Sequence, residues 1–194
     1  GDLNRDSIPE ILSLSEYFND PKDRYDSAQI HAFSPDGSIL PNFPIREDSN
    51  YFYEIGKSCI VYKYKDTTFF SVNSNYSPSL IAYDYTTRVS TYNYNAELVK
   101  RYFLFPNIEN FGMLMADFNN DNILDHVVGN WFDTVRIYSQ DGNLLYPEPI
   151  ISTYNFNRLP SIGKLSDNFN LVAGQNYADT NGVFPDYAGY VKAF

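Results

Sequence analysis

The nine residues Asp117-Phe118-Asn119-Asn120-Asp121-Asn122-Ile123-Leu124-Asp125 set oxygen-bearing side chains at positions 1, 3, 5 and 9. Carboxylates spaced so closely repel one another unless something positive draws them together. A hard divalent cation such as calcium takes roughly six to eight oxygens at about 2.3–2.6 Å, so a short loop must aim several side chains at one point. Alternate side chains converge when the backbone curls around the ion, and Ile123 at position 7 offers its carbonyl. The same frame returns as Asp2-Leu3-Asn4-Arg5-Asp6-Ser7-Ile8-Pro9-Glu10, with Ile8 at position 7. One such loop is an acidic turn. Two of them, each followed by an apolar segment, define a repeated unit.

Alignment on the segment after each loop gives four related runs. These are Gln29–Ser34, Leu80–Asp84, Val135–Ser139 and Tyr190–Phe194, whose equivalent positions Ala32, Ala82, Ile137 and Ala193 stand 50, 55 and 56 residues apart. The first and third runs lead into Asp36-Gly37 and Asp141-Gly142, a strong short-range hairpin signal. After each comes a Pro-bearing segment, Ile39 to Ile45 and Leu144 to Ile150. Proline cannot donate to a ladder, so this strand belongs at a sheet edge. In the third repeat the strands are read as Gly112–Ala116, Leu124–Gly129, Thr134–Ser139 and the Pro-bearing edge. A four-stranded meander of about 50 residues, repeated, is the signature of a β-propeller blade. The fold expectation is therefore all-β: about four four-stranded antiparallel blades, the terminal ones incomplete. It forms one domain or segment over 1–194, with approximate repeats 1–50, 51–105, 106–157 and 158–194.

The second and fourth units lack the oxygen frame. Lys63-Tyr64-Lys65-Asp66-Thr67-Thr68-Phe69 and Gly163-Lys164-Leu165-Ser166-Asp167-Asn168 take its place, and neither should bind metal. Only Asn95–Tyr102 hints at a short turn of helix. The lone cysteine, Cys59, excludes an intrachain disulfide and sits in an apolar run, as a buried inert thiol would. Aromatic residues make up 18% of the chain, which suits strands.

Phe111-Gly112, the Asp117–Asp125 loop and Val127-Val128-Gly129-Asn130 together resemble the FG-GAP repeat of integrin α-subunit propellers and the related bacterial VCBS-type repeats. Gly1–Asp6, Pro9-Glu10-Ile11-Leu12 and Ser34–Ile45 resemble the bacterial version closely. The resemblance spans essentially the whole chain, strongly in the first and third units and faintly in the others. It implies a propeller with calcium in the turn between the first two strands of a blade: one ion at 117–125 (Asp117, Asn119, Asp121, Ile123, Asp125) and a second at 2–10 (Asp2, Asn4, Asp6, Ile8, Glu10). Two features depart from the family. Gly is usual at position 6, where this chain has Ser7 and Asn122, and the first site ends in Glu10 against the start of the chain, where a Gly1 ammonium, if Gly1 is a true terminus, would oppose a cation at Asp2. The chain begins inside a first-to-second-strand turn and stops in a third strand, so it reads as a segment of a larger propeller. Other chains or missing blades would cover its open edges.

Alternating strand direction puts the cation loops on one face and the second-to-third-strand connections on the other. Those connections are long at Glu16–Ala28 and Gln175–Ala188, and long loops on a rigid scaffold commonly carry function. Tyr17, Phe18, Tyr25, Tyr177, Phe184 and Tyr187 are the candidate contacts for a protein or glycan ligand. A net charge of −10 argues against nucleic acid, and no apolar run approaches the ~18 residues that span a bilayer. No zinc spacing, nucleophile elbow or phosphate loop occurs, and His31 and His126 read as ordinary strand residues. The leading expectation is a calcium-stabilised, non-catalytic binding propeller, secreted or on a cell surface. A carbohydrate-binding or carbohydrate-active propeller, and a structural segment of a large secreted assembly, are the alternatives.

Overall fold

The structure, a computed structural model, describes residues 1–18, 25–47, 51–52, 59–76, 86–106, 110–130, 134–146, 150–151, 161–164, 169–176 and 189–193. Among the described residues every regular element is a β-strand, and the strands form four antiparallel sheets. The chain divides into two compact units, Gly1–Glu109 and Asn110–Phe194.

The N-terminal unit opens with a three-stranded sheet of β1 (Ile11–Phe18), β2 (Tyr25–Phe33) and β3 (Ile45–Arg46), in that order. Leu12 lies opposite Ala32 and Leu14 opposite Ile30, so one face is aliphatic, while Ser13 and His31 pair on the other. That period of two is what a half-buried strand requires. The second sheet contains β4 (Tyr51–Phe52), β5 (Cys59–Tyr64), β6 (Thr67–Tyr76), β7 (Thr86–Asn93) and β8 (Leu98–Pro106). Both β4 and β5 pair along β6, followed by β7 and β8. Leu3, Ala28, Ile30 and Ala32 pack with Phe70, Val72 and Tyr92 in one buried cluster. The Phe70 and Tyr92 rings stack at 5.2 Å between centroids. Each large apolar side chain so buried contributes about 1.5–3 kcal/mol. Cys59 borders this cluster, and burial pushes its thiol up to about 12.

The first two sheets also share a buried ion pair. Glu47 extends β3, its amide donating to the Ala28 carbonyl at 2.9 Å. The Arg88 guanidinium, from β7, donates to Glu47 Oε2, and its Nε donates to Ser74 Oγ at 3.1 Å. Arg101 on β8 reaches the same Glu47 oxygen at 3.4 Å. Glu47 and Arg88 are both almost wholly excluded from solvent.

The C-terminal unit holds a four-stranded sheet of β9 (Asn110–Ala116), β10 (Asp125–Asn130), β11 (Thr134–Tyr138) and β12 (Ile150–Ile151), in the order β12-β11-β10-β9. Its last sheet has β13 (Ser161–Lys164), β14 (Phe169–Asn176) and β15 (Gly189–Ala193). Val127, Val135 and Ile137 form the core of the four-stranded sheet, with Leu114, Phe118 and Leu145 against them. The first three strands expected for the third repeat are present within a residue or two, and of the fourth only its end, β12, is a strand among the described residues. The Pro-bearing segments do end at sheet edges, as β3 and β12.

One expectation for the second unit fails. Asn95–Tyr102 is not helical: Asn95 and Ala96 form a turn, and Leu98 onward is strand β8. Pairing of β8 with β7 overrides the modest helix propensity of Ala96-Glu97-Leu98. The run Leu80–Asp84 lies outside the described residues; among those described, β7 is the strand that follows β6 in the sheet. Turn hydrogen bonds reveal the true register. The amides of Ser34, Asn93 and Ser139 donate to the carbonyls of Ser38, Glu97 and Asn143, and those of Gly37, Ala96 and Gly142 donate back to Ser34, Asn93 and Ser139. One turn therefore occurs three times, a three-residue loop whose last residue is left-handed. Gly37 and Gly142 take φ of 85° and 79°, and Ala96 must take 66°. An alanine there is strained, whereas glycine is not. Ala96→Gly is accordingly expected to stabilise the protein by about 0.5–1 kcal/mol, read as a higher urea midpoint at unchanged slope.

Candidate metal centres

The first loop leads from Gly1 into β1, and the second joins β9 to β10. Their internal hydrogen bonds match position by position. Asn4 Oδ1 accepts from the Asp6 amide at 3.0 Å, as Asn119 Oδ1 does from Asp121 at 3.0 Å. Asp6 Oδ1 accepts from the Ile8 amide at 2.7 Å, as Asp121 Oδ1 does from Ile123 at 2.7 Å. The side-chain amides of Asn4 and Asn119 donate to Asp6 and Asp121 at 3.0 and 2.9 Å. Short Asn and Asp side chains favour such local bonds, which curl the backbone without helix or ladder. Positions 4 and 6 are left-handed in both copies: Arg5 and Ser7 at 68°, Asn120 and Asn122 at 60° and 63°. Ser7 and Asn122 thus adopt the conformation for which glycine is favoured, Asn at lower cost than Ser.

The ninth residue locks each loop. Glu10 Oε2 accepts from the Leu3 amide at 2.5 Å, and Asp125 Oδ2 from the Phe118 amide at 2.8 Å. Both side chains are buried, Glu10 to 4% exposure and Asp125 to 0%. Their remaining oxygens, Glu10 Oε1 and Asp125 Oδ1, are buried and accept no hydrogen bond. A buried ionised oxygen without a partner is costly. Asp125 registers that cost: burial pushes its carboxyl up to about 6, the Phe118 amide opposes the shift, and the Asp121 and Asp117 carboxylates add to it.

The loops differ at position 1. In the first, carboxylate oxygens of Asp2, Asp6 and Glu10 lie within 4.8 Å of one another. In the second, Asp117 turns onto its own loop, accepting from the Asp121 and Asn122 amides at 3.1 and 2.8 Å. The Gly1 nitrogen donates to the Glu10 carbonyl at 3.3 Å. The donors are oxygens throughout, with no His or Cys in either loop, which suits a hard cation and not zinc. Buried oxygens still lacking a partner fit the same group. Ile8 and Ile123 occupy position 7 of the two loops.

In the second sheet Lys65 and Asp66 make a tight turn between β5 and β6, with Tyr64 opposite Thr67. In the last sheet Lys164 pairs with Phe169, and the residues between them lie outside the described ones. Of the six aromatic contact candidates, Tyr17 and Phe18 end β1 and Tyr25 begins β2, so the strands run further into that segment than its composition implied. Pairing of Tyr17 with Ser27 and of Phe18 with Tyr25 shortens the connection to 19–24. Tyr177, Phe184 and Tyr187 lie outside the described residues, in the connection from β14 to β15.

Both histidines are strand residues. His31 Nε2 shares a hydrogen bond with Ser15 Oγ at 2.9 Å and its ring stacks on Phe33, while His126 is fully buried on β10. The buried Glu47–Arg88 pair went unforeseen, because residues so distant in sequence carry no local signal. Among the described residues no helix is long and apolar enough to cross a membrane. Comparison with protein-family models gave no match, and comparison with curated proteins gave none either.

Proposed function

We propose that this chain is a calcium-stabilised β-propeller, or a segment of one, that acts outside the cell as a non-catalytic binding module for a protein partner. One observation carries the calcium reading: two separate loops repeat one hydrogen-bonding pattern, and each buries a carboxylate oxygen that accepts nothing. The propeller reading is supported by successive antiparallel meanders, with the oxygen-rich loop recurring directly before β1 and before β10. The binding role is supported by placement alone. β1 runs from the first cation loop to the connection with β2, so that connection leaves the first sheet at the end away from the loop, where a rigid scaffold can present it.

Calcium in these loops is structural. It would be held by the side chains of Asp2, Asn4, Asp6 and Glu10 with the Ile8 carbonyl, and by Asp117, Asn119, Asp121, Asp125 and Ile123 in the same order. Titration calorimetry should find two calcium sites, with magnesium a poor competitor because it demands near-ideal octahedral geometry. The calcium-loaded chain should bind intact cells, and removing their surface proteins with protease should abolish binding. Absence of calcium heat would sink the metal reading; binding that survives the protease would sink the protein-partner reading.

A further inference from the structure

The first loop differs from the second in what it touches. Leu3 is fully buried in the cluster that joins Ala28, Ile30 and Ala32 of the first sheet to Phe70, Val72 and Tyr92 of the second. Gly1 lies so close to β5 that a Cβ added to it would come within 2.8 Å of Val61 Cγ1. The Arg5 guanidinium stands 5.8 Å from the centre of the Tyr94 ring, in the turn between β7 and β8. Residues 1, 3 and 5 therefore meet the second sheet, while Asp2 and Asp6, beside them in the chain, converge with Glu10. In the other loop Phe118, the counterpart of Leu3, packs on Val127, Val135 and Ile137 of its own four-stranded sheet.

We infer that the first loop is a cation-operated clamp between the two sheets of the N-terminal unit. A divalent cation on Asp2, Asp6 and Glu10 fixes the alternation that sends Gly1, Leu3 and Arg5 onto the second sheet. Without it, three carboxylates within 4.8 Å repel one another. Opening the loop relieves that repulsion and withdraws Leu3 from the shared cluster. The inference rests on the calcium reading above and adds that only the first site controls how these two sheets hold together.

Cys59 is the reporter, because it borders the cluster that Leu3 fills. The full chain is labelled with a maleimide at increasing calcium, alongside calorimetry on the same sample. If exposure of Cys59 requires the ion to leave, the open population falls with [Ca]/Kd, and labelling slows about 100-fold at 100 times Kd. Asp6→Asn, at an exposed position, should move that curve to higher calcium, and Asp125→Asn should leave it in place. Hydrogen exchange at the β5 amides should follow the same order, independently of the thiol. Calcium bound at the first loop with Cys59 labelled at one constant rate overturns the clamp alone. So does a calcium dependence abolished by Asp125→Asn and not by Asp6→Asn. Absence of calcium uptake overturns the calcium reading and the clamp with it.

Discussion

Excess chelator is expected to lower the melting temperature by roughly 10–20 °C. A ligand at 100 times its Kd contributes about 2.7 kcal/mol, two sites about twice that, and a chain of this size shifts about 2–4 °C per kcal/mol. The effect should depend on pH with a definite sign. The Asp125 carboxyl is raised from 3.8 to about 6 in the folded chain, chiefly by burial. Between those values the metal-free folded state holds a proton that the unfolded state has lost. Its stability therefore falls as pH rises through that window and does not recover above it. A bound cation favours the ionised form and expels the proton. The gap between calcium-loaded and chelated melting temperatures should thus widen from pH 5 to pH 7.5. Asp125→Asn should produce crossed effects at pH 7.5: a more stable chelated protein, because an unpaired buried charge is gone, and a weaker response to calcium. Identical melting curves with and without chelator, with Asp117→Ala and Asp121→Ala equally silent, would refute the structural role of the ion.

The loops were legible because their chemistry is local. Alternating Asp and Asn side chains bond to amides two residues on, so spacing alone announces the curl. The turns at Asp36-Gly37 and Asp141-Gly142 were legible for the same reason, since glycine advertises a left-handed position. The second unit was misread where that advertisement is missing. Asn95-Ala96 makes the same turn, but an alanine at φ 66° looks like helix material in sequence. Reading that turn as helix material hid β8, which begins two residues after it. At the candidate sites, Asp125 and Glu10 could be named as ligands. Their burial could not, because it follows from strand packing around them. The contacts of Gly1, Leu3 and Arg5 with the second sheet were equally invisible, since nothing in residues 1–10 encodes the position of Val61 or Tyr94.

Breaking the Glu47–Arg88 pair is the other change expected to cost most. Glu47 leaves the end of β3 and Arg88 sits mid-strand on β7, so the pair ties the first sheet to the second through the interior. Removing one member of a buried pair strands the other charge, at about 3–5 kcal/mol. Arg88→Ala should therefore lower the melting temperature by roughly 6–20 °C, the wide range reflecting the size dependence of the conversion. Arg101 cannot rescue it fully: it reaches Glu47 at 3.4 Å but is itself 26% exposed and also shared with Ser90 and Tyr92. Because solvent is excluded, the loss should persist in 1 M salt, where a surface pair would be screened. The decisive comparison is the double variant Glu47→Leu with Arg88→Met. Apolar replacements of similar volume remove both desolvation costs, and such exchanges are often neutral or stabilising. Equilibrium denaturation of the two single variants and the double should yield a strong favourable coupling between the positions. Single variants whose losses simply add in the double would show that Glu47 and Arg88 are buried side by side without holding the sheets together.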